Sequence, residues 1–153
     1  KGKNSWWRVV NQEDLHKITL LYKQLRNLLY EELTLMRRKK NVEKIKSHLA
    51  NIMDFQYIPE HVTLHPYYNL TCLFNSKDKR DLIMNKLNEE RIETRISFPP
   101  CHLQPYHKNL PYLKLDDLKN TITSYETMLD IPAHQNLTDK EIEKMTNIII
   151  KNV

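Results

Sequence analysis

The sequence is poor in the residues that build phosphate loops and disulfide frameworks. Its 153 residues include one glycine, Gly2, and two cysteines, Cys72 and Cys101. Backbone N–H groups approach a phosphate closely where glycine removes the side chain, so no Rossmann or Walker loop is available beyond residue 2. Two cysteines are too few for a disulfide framework. They indicate free thiols in a reducing compartment, and we therefore expect a cytoplasmic location.

Long hydrophobic runs are also missing from this chain. No apolar stretch approaches the roughly 20 residues of a membrane span, and no hydrophobic segment of a signal peptide follows the N-terminus. We therefore expect no membrane partner. The length of 153 residues fits a single domain that is large enough to bury a core.

Charge, in contrast, is plentiful and uneven. Charged residues make up 28% of the chain, and the formal net charge is +5 at pH 7. The run 37–40, Arg-Arg-Lys-Lys, is the strongest nucleic-acid signal, and Trp6 and Trp7 are candidates for stacking on bases. Because no aromatic residue is interleaved with this run and Glu31 and Glu32 lie close by, the pattern favours a solvated helix face. A basic helical module that binds nucleic acid remains an alternative interpretation.

Residues 11–53 contain neither glycine nor proline and predict a long N-terminal helix. Apolar residues recur at steps of three and four, which is the period of one helical stripe. These residues are Leu15, Ile18, Tyr22, Leu25, Leu29, Leu33, Met36, Ile45, Leu49 and Ile52. Such a helix is on the order of 60 Å long, more than a lone domain covers. We expect either a bend near residues 37–41 or a portion that packs against another chain.

The remainder of the chain predicts alternating strands and helices. Residues 61–74 alternate as extended chain around Pro66, and residues 77–90 predict a helix with Leu82, Ile83 and Leu87 on its buried side. The next segments predict a strand over 91–98 and a helix over 115–127. The apolar side of this helix consists of Leu115, Leu118, Ile122 and Tyr125. A loop beginning at 129–132 leads to a final helix that opens with the capping box of Thr138 and Glu141 and buries Ile142, Met145, Ile148 and Ile149.

The predicted fold class is α+β, with a small antiparallel or mixed sheet and helices on one face. We divide the chain into a helical linker or interface segment, 1–53, and a small α+β domain, 54–153, which together form one structural domain.

A polar loop follows the predicted strand 91–98. Pro99 and Pro100 end the strand, and His102, Gln104 and Tyr106 occupy every second position after it. Pro105 favours an extended Gln104, so three hydrogen-bonding tips are expected on one side of a stiff segment.

Neither metal binding nor thiol chemistry is favoured here. We expect Cys101 to pack inward and His102 to face out, which argues against a cysteine hydrolase because neighbouring side chains of an extended segment point apart. His61 and His65, on a predicted strand, are ~13 Å apart and do not share a zinc ion.

Four motifs resemble one enzyme family in content, order and spacing. They are Arg-Ile-Glu-Thr-Arg at 91–95, Pro-x-His-x-Gln-Pro-Tyr at 100–106, Leu-Asp-Ile-Pro-Ala-His at 129–134 and Leu-Thr-Asp-Lys-Glu-Ile at 137–142. The chain resembles the small C-terminal domain of the DegT/DnrJ/EryC1/StrS sugar aminotransferases. These enzymes use pyridoxal phosphate to move an amino group from glutamate onto a keto-sugar attached to a nucleotide. The resemblance covers roughly residues 30–153.

The resemblance implies that the catalytic machinery lies elsewhere. In the family, the cofactor lysine, the acid on the pyridine nitrogen and the phosphate cradle belong to the large domain, called the cofactor domain below. No stretch of this sequence matches the lysine segment, and Lys108 lies in no such context. The resemblance therefore implies that this chain binds no pyridoxal phosphate alone and does not transaminate alone. A cofactor domain would be its partner, either in the same polypeptide or as a separate subunit.

The resemblance also implies a role as a cover for the substrate. Carried over to this chain, it assigns Arg95 to a diphosphate or carboxylate, and His102, Gln104 and Tyr106 to sugar hydroxyls or the active-site edge of a nucleotide-sugar. Family members are dimers, so a homo-oligomer formed through the N-terminal helix is expected. A glycine usually ends the helix before 91–95 in the family, whereas Glu89-Glu90-Arg91 stands here. Either a non-glycine residue adopts the left-handed turn or the loop differs. A scaffold or regulatory remnant without a ligand is the remaining alternative.

Overall fold

A computed structural model of the chain describes residues 12–107 and 118–153. The elements are α1 (Gln12–Leu49), β1 (Asp54–Phe55), β2 (Leu70–Leu73), α2 (Lys77–Glu89), a 3-10 turn (Cys101–Leu103), α3 (Lys119–Thr127), β3 (Met128–Ile131) and α4 (Asp139–Asn152). Trp6, Trp7, Lys108 and the start of the predicted helix 115–127 lie outside the described residues. Among the described residues, no helix is both long and apolar enough to cross a membrane.

The strands form an antiparallel sheet in the order β1-β2-β3. Leu70 pairs with Ile131 and Cys72 with Leu129, and these four side chains are all buried. The intervening pair, Thr71 and Asp130, projects from the opposite face because side chains alternate along a strand. The two faces of the sheet therefore differ in chemistry, with an apolar inner face and a polar outer face. The predicted α+β class with an antiparallel sheet is confirmed.

Three helices supply the apolar side chains that cover the inner face of the sheet. The buried residues of α1, α2 and α4 are Val42, Ile45, Leu49, Ile83, Leu87, Ile142, Met145 and Ile149. Burying one such side chain contributes about 1.5–3 kcal/mol. The last two turns of α1 thus belong to the same core as the sheet.

The first part of α1, in contrast to its last two turns, contributes no buried side chain to this core. α1 is a single helix of 38 residues, roughly 57 Å long. It remains helical through 37–41, where a bend was one of the two expected outcomes. Eleven large apolar side chains between residues 15 and 36 are each 50% to 66% exposed. They are Leu15, Ile18, Leu20, Leu21, Tyr22, Leu25, Leu28, Leu29, Tyr30, Leu33 and Met36. These residues, called the α1 apolar face below, are left without cover by the described residues.

Three predictions about extended chain are corrected. The segment 91–98 is not a strand, since only Arg95 pairs with the sheet, by an isolated antiparallel bridge to Asp130. Residues 129–132 were expected to enter a loop, but the first three of them belong to the third strand, β3 (Met128–Ile131). Within 61–74, only Leu70–Leu73 is a strand.

The boundaries of α2 follow local signals. The Ser76 side chain accepts a hydrogen bond from the backbone N–H of Lys79 at the N-terminus. At the C-terminus, Arg91 adopts a left-handed conformation with φ of 60°, its N–H donates to Asn88 O, and Ile92 N–H donates to Leu87 O. This is a Schellman motif built without glycine, so the first of the two expected outcomes at this turn is observed.

The buried side of α2 was only partly predicted. Ile83 and Leu87 are buried as expected, but Leu82 is 41% exposed, so its assignment to the core was wrong. Arg80 is buried instead and donates to the carbonyl oxygens of Tyr125 (3.4 Å) and Met128 (3.2 Å) and to the Asp81 carboxylate. It thereby ties α2 to the junction of α3 and β3.

The predicted final helix and its capping box are confirmed. Thr138 Oγ1 accepts from Glu141 N–H at 3.3 Å, and the Glu141 carboxylate accepts from Thr138 N–H at 2.8 Å. Ile142, Met145 and Ile149 are buried as predicted, and Ile148 packs against the core while remaining partly exposed. In α3, Ile122 and Tyr125 lie on the half-buried side, in agreement with the predicted face.

Candidate functional site

The outer face of the sheet is organised by one buried carboxylate, Asp130, which is 4% exposed. Its Oδ1 accepts a hydrogen bond from Thr71 Oγ1 at 2.7 Å. Its Oδ2 accepts from Asn69 Nδ2 and Ser97 Oγ, both at 3.0 Å, and from Arg95 Nη2 at 3.3 Å. Buried polar groups are normally hydrogen-bonded, and these four donors satisfy both oxygens of the carboxylate. Asp130 therefore fastens the segment containing Arg95 and Ser97 to the sheet.

Arg95 lies at the edge of this cluster and contacts Asp130 through both its backbone and its side chain. Its backbone N–H donates to Asp130 O at 3.0 Å, and its backbone carbonyl accepts from Asp130 N–H at 2.8 Å. The guanidinium is 49% exposed, and its Cζ atom lies 5.8 Å from the centre of the Phe98 ring. The backbone of the predicted site residue is thus fixed to Asp130, while its side chain remains half exposed.

A groove opens beside Arg95, between residues 91–95 and the chain that follows β3. Its volume is about 540 Å³, within the range of ligand pockets. Three arginines from distant parts of the sequence, Arg38, Arg91 and Arg95, line it, and we call it the arginine groove. The other lining residues are Tyr68, Asn69, Ile92, Glu93, Thr94, Asp130, Ile131, Pro132, Ala133, His134, Leu137, Glu141 and Met145.

The other three predicted site residues differ in exposure and do not form one exposed polar edge. His102 is 6% exposed, Gln104 is half-buried and Tyr106 is 85% exposed. The expectation that Cys101 packs inward while His102 faces out was wrong, because Cys101 is the exposed residue of the pair. A 3-10 turn replaces the extended segment, with Leu103 N–H donating to Pro100 O and Gln104 N–H to Cys101 O. Gln104 itself is extended, as Pro105 predicts.

His102 is unusual because its buried Nε2 has no hydrogen-bond partner among the described residues. A buried polar atom without a partner costs about 1–3 kcal/mol. Phe98 and Tyr106, both 85% exposed, lie on the same loop. The loop 98–106 thus combines an unsatisfied imidazole with uncovered aromatic rings, as expected of a surface that contacts something else.

The described lining of the arginine groove offers no lysine that could form a Schiff base with pyridoxal phosphate. The carboxylate of Asp130 is already engaged by four side chains, so it is not free to pair with a pyridine nitrogen. Over residues 12–107 and 118–153, no three His, Cys, Asp or Glu side chains are grouped as metal ligands. Burial, reinforced by the charge of Asp130, raises the pKa of the Cys72 thiol, which leaves Cys72 a packing residue.

The basic run 37–40 divides between two roles. Arg38 turns toward the domain, where its Nε donates to Gln135 Oε1 at 3.0 Å, whereas Arg37, Lys39 and Lys40 are exposed. One turn further along, Lys44 pairs with Asp139 at 2.9 Å. These contacts hold α1 against the loop between β3 and α4 and against the first residue of α4.

Sequence reasoning missed Asp130 and Arg38 as parts of the site. Asp130 stands in an apolar run where a charged residue is out of place, and that position was a usable signal of a buried polar centre. Arg38 offered no comparable signal, because its contact lies 97 residues away in the sequence.

Comparisons with known proteins agree with this architecture. A sequence model of the DegT/DnrJ/EryC1/StrS aminotransferase family matches residues 19–150. An uncharacterized protein of Methanocaldococcus jannaschii, MJ1066, is 27% identical over 89 residues, which are 58% of this chain and 23% of that protein.

Solved structures share the fold at low sequence identity. The aminotransferase TlmJ of Streptoalloteichus hindustanus has a TM-score of 0.71 at 20% identity, over 82% of this chain and 33% of that chain. DesV of S. venezuelae has a TM-score of 0.71 at 18% identity, over 83% and 34%. Helicobacter pylori PseC, an aminotransferase involved in pseudoaminic acid biosynthesis, has a TM-score of 0.67 at 17% identity, over 84% and 35%.

The chain thus spans about a third of the length of the solved structures that it matches. The match to the family model extends over most of its residues and includes all four motifs noted in the sequence. The chain belongs to the DegT/DnrJ/EryC1/StrS aminotransferase family.

Proposed function

We propose that this chain is the small domain of a sugar-nucleotide aminotransferase and covers an active site whose catalytic groups lie in a cofactor domain. The observation that carries the proposal is Arg95, a guanidinium fixed at its base by Asp130 yet half exposed at the border of a groove. A guanidinium held in this way binds an anionic group bidentately without losing further side-chain freedom. The reaction is amino transfer from glutamate to a keto-sugar attached to a nucleotide.

The substrate contacts are assigned to four residues. Arg95 binds a phosphate or carboxylate of the substrate, and Gln104 and Tyr106 contact sugar hydroxyls or the edge of the active site. His102 differs, since its ring is buried in this chain. Its unsatisfied Nε2 is available to a group that the cofactor domain or the substrate brings to the loop. None of the four is assigned a bond-breaking role.

The cofactor domain holds pyridoxal phosphate in this proposal. That cofactor supplies the chemistry of amino transfer when it is bound, and the present residues position and enclose the substrate. Because the chain spans about a third of the structures that it matches, the cofactor domain is assigned to the remaining two thirds. Residues 1–53 act as the linker and interface segment, and 54–153 as the cover.

The α1 apolar face supports the proposed partnership. Its eleven large side chains, each at least 50% exposed, form a surface of the kind that is normally buried against another polypeptide. We assign this surface to the cofactor domain and to a second subunit of a homo-oligomer, in a cytoplasmic enzyme.

Reconstitution tests the proposal. The chain is mixed with a cofactor-domain polypeptide of the same family, pyridoxal phosphate, glutamate and a panel of keto-sugar nucleotides, and amino-sugar formation is measured. We expect no turnover by this chain alone and turnover by the mixture. Stable association of the two polypeptides without amino transfer to any sugar would refute the proposed reaction and retain only the partnership.

A further inference from the structure

Much of the α1 apolar face points away from the core of its own chain. Met36 is 62% exposed, whereas Ile45, nine residues further along the same helix, is fully buried. Nine residues make about two and a half turns at ~3.6 residues per turn, so the two side chains project from opposite sides of α1. Leu29 lies two turns before Met36 and shares its side. A neighbour that covers these two residues therefore approaches α1 from the side opposite to the core.

One row of residues along this side has a symmetric spacing. The steps between its members are four, three, four, three and four residues, the alternation that is typical of helices that pack in pairs. Because these steps read the same in both directions, a second α1 that runs the opposite way presents the same row. The row, called the pairing row below, consists of Ile18, Tyr22, Leu25, Leu29, Glu32 and Met36.

Two antiparallel copies of α1 bring apolar residues of this row together. When Leu25 of one copy lies opposite Leu29 of the other, Ile18 lies opposite Met36. Each contact then occurs twice, once on either side of the two-fold axis, as a self-complementary surface requires. All four side chains are at least 52% exposed in the single chain. The pair therefore buries apolar surface that the described residues leave open.

Glu32, the acidic member of the row, supports the same alignment. It lies opposite Tyr22, whose phenol O–H is able to donate a hydrogen bond to the carboxylate. A single polar residue in an otherwise apolar helix contact fixes the register of the helices at a cost in stability. A shift by seven residues would place Glu32 opposite Leu15 or Leu29, and neither side chain has a hydrogen-bond donor. The alignment of Leu25 with Leu29 is therefore favoured over its neighbours.

The charges at the two ends of the row favour the antiparallel direction. α1 carries Glu13 and Asp14 in its first turn, and the basic run 37–40 follows the row at its other end. In the alignment described above, Asp14 of each copy lies beside Lys40 of the other. Parallel copies would instead place the two basic runs side by side. Exposed charge pairs contribute little to stability, so these charges select the direction rather than the strength of the contact.

We propose that α1 binds a second copy of this chain through the pairing row, with the two helices antiparallel and Leu25 opposite Leu29. The inference rests on the proposed function, which assigns this surface in part to a second subunit, and it adds the contact, its direction and its register. The row is short, so the pair is weak, with a dissociation constant on the order of 10 µM. More dilute chains are single copies. The cofactor domain binds the paired helices, so a variant that separates them also weakens that association.

Sedimentation velocity of the full chain, without a cofactor domain, measures the pairing. Over roughly 1 to 300 µM, which brackets the expected constant, one copy should give way to two. Leu29→Glu places a charge in the row and should weaken pairing by about tenfold or more. Leu20→Glu makes the same change at a leucine of similar exposure, 50% against 52%, on the opposite side of α1. It should leave pairing unchanged, and circular dichroism checks that both variants fold.

Cysteine pairing tests the direction of the helices. The exposed Cys101 is first replaced, by Cys101→Ser, and Ile18→Cys and Met36→Cys are then made separately in that background. Oxidised glutathione joins two neighbouring thiols in a disulfide and is itself reduced to two molecules of glutathione. Antiparallel helices bring position 18 of one copy to position 36 of the other. We therefore expect a mixture of the two variants to form the covalent pair several times faster than either variant alone.

Several results would overturn the proposal. A chain that sediments as one copy at every concentration would leave the surface to the cofactor domain. Faster disulfide formation in the separate variants than in their mixture would contradict the antiparallel direction. Equal losses in Leu20→Glu and Leu29→Glu would show association without a defined contact.

Reconstitution distinguishes this inference from the proposed function. Chains that pair as described but give no amino transfer with a cofactor domain would contradict the proposed reaction and leave the helix pair standing. Turnover by reconstituted chains that do not pair would retain the reaction and remove the helix pair.

Discussion

Asp130 joins three parts of the chain that are distant in sequence, namely the start of β2, the segment 95–97 and β3 itself. Its carboxylate is buried, and each of its oxygens accepts at least one short hydrogen bond. Removing it leaves the side chains of Asn69, Thr71 and Ser97, which are all partly buried, without this acceptor. At this scale the stability of the chain and the position of Arg95 depend on one side chain.

Asp130→Ala should lower the free energy of unfolding by about 2–4 kcal/mol, since it leaves several partly buried donors unsatisfied and removes an ion pair with the half-exposed Arg95. Thr71→Ala removes one of the four donors and should cost about 1 kcal/mol. Urea unfolding followed by circular dichroism measures both values. Equal costs for the two variants would contradict the central role of the carboxylate.

Arg91→Gly should raise the free energy of unfolding by about 0.5–1 kcal/mol, because relief of the left-handed strain exceeds the extra chain entropy of glycine. Asn88→Gly is the matched control in the last turn of α2, where a helical residue gains nothing from glycine, and it should lower stability. Thermal or urea unfolding gives the signs. A loss of stability in Arg91→Gly would show that the Arg91 side chain supports the fold.

Among the secondary-structure elements, α2 and α4 were predictable because their limits are set by neighbours in sequence. Ser76 caps α2, and Thr138 and Glu141 form the capping box of α4. The strand 91–98 failed as a prediction because only Arg95 pairs with β3. Toward Glu93, the next hydrogen-bonded position on the partner segment is Pro132, which has no N–H. No local pattern around 91–98 reveals this. The predicted orientations of Cys101 and His102 were reversed because the extended segment on which they were based is a 3-10 turn.

The capping box of α4 makes stability depend on pH in a defined direction. Hydrogen bonds from the backbone N–H and hydroxyl of Thr138 lower the pKa of Glu141. A carboxyl group with a lowered folded pKa stabilises the chain above its unfolded pKa, about 4.3, and loses that contribution as pH falls through the folded value.

Glu141→Gln should therefore be less stable than the wild type at pH 7, and the difference should shrink as the pH falls below about 4.3. Urea unfolding at pH 7, 5 and 3 gives the difference at each pH. Glu143→Gln, an exposed acid on the same helix that is not part of the capping box, is the control. A stability difference between Glu141→Gln and the wild type that grows toward acid pH would contradict the stabilising role of the ionised Glu141 carboxylate.

At the scale of the whole molecule, α1 has two unlike halves. Leu49 at its C-terminal end is fully buried in the core, whereas Leu25 and Leu29 are 57% and 52% exposed. Sequence periodicity found the apolar stripe along the whole helix, but periodicity does not state whether the covering surface belongs to the same chain. Sequence patterns also could not predict the arginine groove, because Arg38, Arg91 and Arg95 come together only when the chain folds.

The double variant Leu25→Glu with Leu29→Glu should change the free energy of unfolding of the isolated chain by no more than about 0.5 kcal/mol per site. Leu49→Ala in the same helix should cost about 2–5 kcal/mol. The double variant should nevertheless fail to associate with the cofactor domain, which sedimentation velocity of the mixture measures. Normal association of the double variant would show that the interface with the cofactor domain does not include Leu25 and Leu29.

The most direct test of the account compares two reconstituted assemblies that have each lost one arginine. Steady-state kinetics with a keto-sugar nucleotide should show kcat/KM lower by about tenfold or more in Arg95→Gln, mainly through KM, since a charged contact to the substrate is removed. Arg37→Gln, on the exposed side of α1, should match the wild type. Equal kcat/KM in the two variants would contradict the claim that this chain supplies the substrate-binding edge of the active site.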